Sequence, residues 1–287
     1  MDFVIQDSSA SSTISHGRLE GFAGDNHDWD WQPGVRVGMG FYLDHDAWNL
    51  DFKWTWLNIT NYEHANATTS GGKVIPLWLL GSDTPSSQVN GTRSSATWNA
   101  DYNTIDVRLG KPHYVSRYFV LNPHFGVRGA WIDQHFSVSY GGFGDNNRTI
   151  HHGENDFWGV GARCGIDTNW ILGKGWKLFG NVASSILFGK FEVDQSLNIP
   201  SNGGFDMRYD YYQNQPNFEI TLGIAWGMYF NKQRNYVGLK AAYEFHEWWD
   251  QLNMRKFFSG SAGWANDVVS RGNLTLNGFS LALQFDI

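Results

Sequence analysis

The sequence predicts an all-β protein: a single antiparallel transmembrane β-barrel of about ten strands, with short periplasmic turns and long outer loops. Three observations lead there. Apolar and polar residues alternate strictly over stretches of about 10 to 17 residues, whereas strands of soluble sheets average about 5–6. The connections between these stretches alternate between short and long. The composition is rich in rings and poor in charge, with 16% aromatic, 17% charged and 33 Gly, against roughly 25% charged residues in an average soluble domain. Mean hydropathy is nevertheless −0.40. The longest apolar run, broken only by Pro76, is Val74 to Leu80, far short of the about 18 residues that a spanning helix needs.

Residues 1–6 count as the first strand. Val35, Val37, Met39, Phe41 and Leu43 then alternate with Arg36, Gly38, Gly40 and Tyr42. Trp48, Leu50, Phe52, Trp54 and Trp56 alternate with Asn49, Asp51, Lys53 and Thr55. In 96–109 the parity slips once, as a β-bulge allows. Phe125, Val127 and Trp131 share a row opposite Arg128, and Trp158, Val160, Ala162, Cys164 and Ile166 share one opposite Arg163. A second slip falls in 175–190. Phe218 to Phe230 holds an apolar residue at every second position, with Glu219, Thr221, Gly223 and Ala225 between. Val237, Leu239, Ala241, Tyr243 and Phe245 form the ninth row, and Phe279, Leu281, Leu283, Phe285 and Ile287 the tenth. Short turns fall at 44–47, 110–117, 172–175 and 231–235; long polar connections fall at 7–33, 61–92, 141–153, 197–214 and 250–270.

A soluble sandwich would alternate too, but its dry core could not take the Arg, Lys, Asp and Glu of the polar row without pairing each one. The apolar rows end in Trp48, Trp56, Trp170, Trp176, Trp248 and Trp249, as the aromatic girdles of a membrane barrel do. A sheet can cross hydrocarbon only if it has no unpaired edge, so the last strand, ending at Ile287, needs the first. Residues 1–6 fall short of the about 9–11 residues of a spanning strand. The expectation is one barrel over 1–287 whose first strand is truncated at an internal Met1, with a signal peptide missing upstream. A net charge of −7 with scattered Lys and Arg argues against a nucleic-acid surface. The single Cys164 allows no intramolecular disulfide or cysteine metal cluster.

The run Asp28-Trp29-Asp30-Trp31-Gln32-Pro33-Gly34-Val35-Arg36-Val37-Gly38-Met39-Gly40, followed by His45-Asp46-Ala47-Trp48-Asn49-Leu50, resembles the opening hairpin of the Legionella-type and chlamydia-like major outer-membrane proteins. So does Phe125-Gly126-Val127-Arg128-Gly129-Ala130-Trp131-Ile132-Asp133-Gln134. The resemblance implies a pore-forming β-barrel in the outer membrane of a Gram-negative bacterium. Chlamydial porins are cysteine-rich; with one cysteine here, a disulfide-linked envelope is not implied.

If the aromatic rows face lipid, parity turns Arg36, Asp51, Lys53, Arg128, Arg163, Lys177, Glu219, Lys240 and Glu244 inward as candidate pore-lining residues. An Arg or Lys facing lipid at mid-membrane would cost about 2–4 kcal/mol. Ten strands about 4.8 Å apart and tilted about 40° give a backbone radius of about 10 Å, leaving a narrow passage that inward glycines widen. The expected function is passive diffusion of small hydrophilic solutes or ions. The alternative is a structural or adhesive barrel whose ion pairs plug the lumen. An omptin-like protease would use Asp28-Trp29-Asp30 and Asp133-Gln134-His135 at the rim. No catalytic residue, cofactor or metal is expected; the partners are outer-membrane lipid and small solutes, not nucleic acid, and homo-oligomerisation is compatible with the sequence. The apolar segment Val74 to Leu80 is a candidate constriction, lid or contact patch.

Overall fold

A computed structural model describes residues 3–7, 16–20, 31–43, 48–66, 73–76, 78, 91–141, 148–199, 203–232, 234–259 and 265–286. Its strands are β1 (Phe3–Asp7), β2 (His16–Glu20), β3 (Gly34–Leu43), β4 (Trp48–Asn66), β5 (Lys73–Pro76), β6 (Arg93–Gly110), β7 (His113–Ser116), β8 (Phe119–Gly141), β9 (Thr149–Gly173), β10 (Trp176–Ile199), β11 (Gly203–Phe230), β12 (Asn235–Ser259) and β13 (Ala265–Asp286). One 10-stranded sheet runs β13-β12-β11-β10-β9-β8-β6-β4-β3, with the short β7 on β8. Every pairing in it is antiparallel.

Its membership differs from expectation at one end. The segment counted as a first barrel strand forms β1, which pairs β2 and β5 in a separate 3-stranded sheet. Five residues cannot span hydrocarbon, and their ladder groups are taken up by strands equally short. Among the described residues β3 and β13 share no ladder, but their walls meet through side chains. Trp31 stacks on Phe279 at 5.8 Å between ring centroids, and Arg36 on β3 binds Glu244 on β12 at 2.6 Å.

The expected two faces are present, with one exception: Trp248, expected in the aromatic girdle, is fully buried on the inside. Trp131, Trp158, Val160, Ile166, Leu222, Trp226 and Leu281 are exposed, while Ala130, Ile132, Phe157, Leu187 and Glu219 on the opposite rows are buried. Cys164 lies on the exposed row of β9. From Trp158 to Trp170, β9 covers about 30 Å of the membrane normal at roughly 3.3 Å per residue and a tilt of about 40°. The strands do not stop there. β9 is 25 residues long and β11 is 28, so much of the expected loops at 141–153 and 197–214 is sheet rising above the girdle. The outward residues there are polar, which erases the apolar alternation without disturbing the ladder. At the other end, β9 and β10 turn through Gly173, Lys174 and Gly175, all at positive φ (98°, 52° and 83°). Glycine supplies that conformation at two of the three positions without steric cost.

Candidate pore lining and its cross-links

Every one of the nine residues picked out by parity sits on the non-lipid row. Seven take part in ion pairs that bridge the lumen or join neighbouring strands. The centre is Arg128 on β8, buried at 2% exposure. It binds Asp106 on the adjacent β6 in a two-pronged contact, Nε to Oδ1 at 2.6 Å and Nη2 to Oδ2 at 2.7 Å. It also reaches past β9 and β10 to Glu219 and Asn217 on β11. Arg163 on β9 adds a second guanidinium on Glu219 at 2.8 Å.

The chain of charges continues in both directions. Lys53 on β4 lies 3.9 Å from Asp106. His246 on β12 stands between Glu219 at 3.5 Å and Glu244 at 3.2 Å, and Glu244 receives both arms of Arg36 from β3. The result is a nearly continuous belt, Lys53–Asp106–Arg128–Glu219–His246–Glu244–Arg36, around the inside of the sheet. One side of it is dry, with Arg128, Arg163, Asp106 and Glu219 all buried. The other is more open: the side chains of Arg36 and Lys53 keep 35% and 26% of their exposure.

Below the belt, Arg108 links Asp51 at 3.1 Å to Asp167 at 3.2 Å. Lys177, Ala225 and Lys240 lie on one rung of β10, β11 and β12. Lys177 leans on the ring of Tyr236, 5.6 Å from its centroid, and neither lysine has a carboxylate partner among the described residues.

Above the belt the lumen is packed. Tyr102, Ile132, Phe157, Leu187, Phe191 and Trp248 form a buried cluster that draws on both walls, with Tyr102 and Trp248 edge to face at 6.0 Å. The inward glycines do not widen the passage here. A Cβ on Gly159 or Gly189 would meet the Phe157 ring at 2.6 and 2.5 Å, so the bare backbone seats a ring. Higher still, Trp78 enters the mouth and packs on Phe136 at 5.3 Å and His151 at 4.7 Å, in a second cluster that includes Val74, Val138, Tyr140 and Met254. Of the apolar segment singled out in the sequence, Val74 and Trp78 pack inside the mouth; its residues 77, 79 and 80 lie outside the described residues.

Contributors outside those nine include Asp106, Arg108, Asp167, His246 and the backbone of β12. The register of β12 on β13 jumps from Trp248↔Leu274 to Leu252↔Gly272, a bulge with Asp250 at φ 52°. It turns carbonyls into the lumen, where Gln251 O accepts from Asn155 at 2.9 Å and Gln134 at 3.4 Å, and Trp249 O accepts from Gln215. The adjacent Trp248-Trp249, which break alternation, are its one signal in the sequence.

An antiparallel sheet with rings toward lipid and a cross-linked ionic interior defines the class: an outer-membrane β-barrel. The family model described as Legionella pneumophila major outer membrane protein precursor matches residues 4–287. The chain belongs to that family, as its opening hairpin and the 125–134 motif had indicated. No curated protein and no solved structure matches it.

Proposed function

We propose that the protein is a narrow passive pore for small hydrophilic solutes or ions, with the charge belt as its constriction. The observation that carries this reading is the asymmetry of the belt. Arg36 and Lys53 stay partly accessible at mid-depth beside Arg128 and Glu219, which are buried, so a hydrated path would run along the β3–β4 side. A charge pair kept out of water is often no more stabilising than an apolar contact, so stability alone gives little reason for so many charges at this depth. The packing of Trp78 and Trp248 favours a second reading, a structural barrel with a plugged lumen.

Of the residues a protease would use, Asp133 and His135 lie on the outward face of β8, with His135 3.8 Å from Glu154, and Asp28 and Asp30 lie outside the described residues. Single-channel recording from the full chain in planar bilayers tests the proposal: a small, steady conductance above leak is expected. Silence in folded, inserted protein would sink the pore and leave the structural barrel.

A further inference from the structure

The outward face carries a second site, independent of the lumen. Above the girdle, where β4, β6 and β8 run side by side, lies a cavity of about 560 Å³ lined by Tyr62, His64, Arg93, Ser94, Ser139 and Arg148 among others. Register stacks its donors on two neighbouring rungs. His64 pairs Ser95, which pairs Ser139; Asn66 pairs Arg93, which pairs Gly141. Both arginines lie against Gly141, where a Cβ would meet Arg93 Nε at 3.5 Å and Arg148 Cγ at 3.8 Å. Arg148 Nε donates to Ser139 at 3.1 Å, and the His64 ring stacks on Tyr62.

One feature singles this cavity out. No carboxylate among the described residues lines it or partners either arginine, although the chain as a whole carries −7. Two converging guanidiniums, an imidazole and the Ser139 hydroxyl make a cationic donor set without an anion. Tetrahedral phosphate oxygens match it, since guanidinium forks bind phosphate through paired hydrogen bonds.

We propose that this cavity binds a phosphate group. Its height restricts a lipid-borne phosphate to the outer sugars of a glycolipid. His64 and Asn66 stand roughly 20–25 Å above Trp56 at about 3.3 Å per residue and a tilt of about 40°, beyond the acyl chains and the headgroup layer of about 5–8 Å. Free phosphate offers the same oxygens without the anchor.

The test uses the full chain folded in nanodiscs, with native mass spectrometry counting retained glycolipid and ³¹P NMR following inorganic phosphate. The probes are lipopolysaccharide, its dephosphorylated form and inorganic phosphate. The variants are Arg93→Gln/Arg148→Gln, and Arg208→Gln as a control that removes charge elsewhere on the rim; heat-modifiable gel mobility checks folding. The double variant should lose retention of phosphorylated glycolipid by about tenfold or more, given the strength of charge-assisted hydrogen bonds. Arg208→Gln should retain it, and dephosphorylated lipid should bind no better than background in any form. If inorganic phosphate binds the wild type and glycolipid does not, the phosphate is a soluble one. Equal retention by the double variant, or equal loss with Arg208→Gln, overturns the proposal.

Discussion

Glu219 anchors two guanidiniums, Arg128 and Arg163, in a region with almost no water. Removing its charge leaves two cations buried with one carboxylate, Asp106, between them. Glu219→Gln is therefore expected to destabilise the barrel by about 3–5 kcal/mol, read as a lower urea midpoint in lipid vesicles. Arg163→Met should cost less than Arg128→Met. Arg163 already has Nε and Nη1 without partners, whereas Arg128 binds Asp106, Asn217 and Glu219. Outside the membrane, Asp156 sits one rung above the girdle. Partial burial, then the charge of Asp133 opposite, push its pKa up from 3.8 to about 6. The folded protein thus holds a proton there that the unfolded chain releases between roughly pH 4 and 6. Stability should rise as the pH falls through that window, and Asp156→Asn should flatten that rise while stabilising the protein at pH 7 and above. Unfolding midpoints measured from pH 4 to pH 8 decide it.

Asp156 belongs to a feature of the strands rather than of one side chain. Asp101, Asp133, Asp156, Glu192 and Asp210 lie directly opposite one another across β6, β8, β9, β10 and β11. Like charges so placed repel, and the ends of this rung are relieved locally: Asn58 donates to Asp101 at 2.6 Å, and Lys190 sits within 3.0 Å of both Glu192 and Asp210. The strands themselves were legible wherever one face met lipid. Trp158 to Ile166 and Phe218 to Phe230 could be read by parity alone, and the same parity placed Arg128, Arg163 and Glu219 inside. Above the girdle the outward row turns polar and apolar side chains such as Phe191, Val193 and Leu197 occupy the inward row instead, so the lipid-facing parity gave no sign that β9, β10 and β11 continue. The partner of β1 is set by tertiary contact, which a six-residue pattern does not encode. The bulge in β12 was equally hidden, because carbonyl direction depends on the backbone. Deleting Asp250 and Gln251 should straighten β12, remove the Gln251 carbonyl, withdraw that of Trp249 from the lumen, and raise single-channel conductance severalfold. Unchanged conductance would place the constriction elsewhere.

For the molecule as a whole, the narrowness expected from about ten strands was legible, and the degree of filling was not. Parity says which side chains enter the lumen. It does not say that Phe157 folds over Gly159 and Gly189 or that Trp78 closes the mouth. Below these clusters, the rung of Lys177 and Lys240 leaves two cations without acidic partners among the described residues, so a current through this path should prefer anions weakly. Lys240→Glu should then move the reversal potential in a salt gradient toward cation preference, and an unmoved potential would take Lys240 off the path. The native thiol offers a check on the orientation from which all this follows. Cys164, between Ala162 and Ile166 on the exposed row of β9, belongs among acyl chains at mid-depth. A nitroxide attached there should be relaxed strongly by dissolved oxygen and weakly by a water-soluble nickel chelate. The opposite ratio would mean that the wall has been turned inside out.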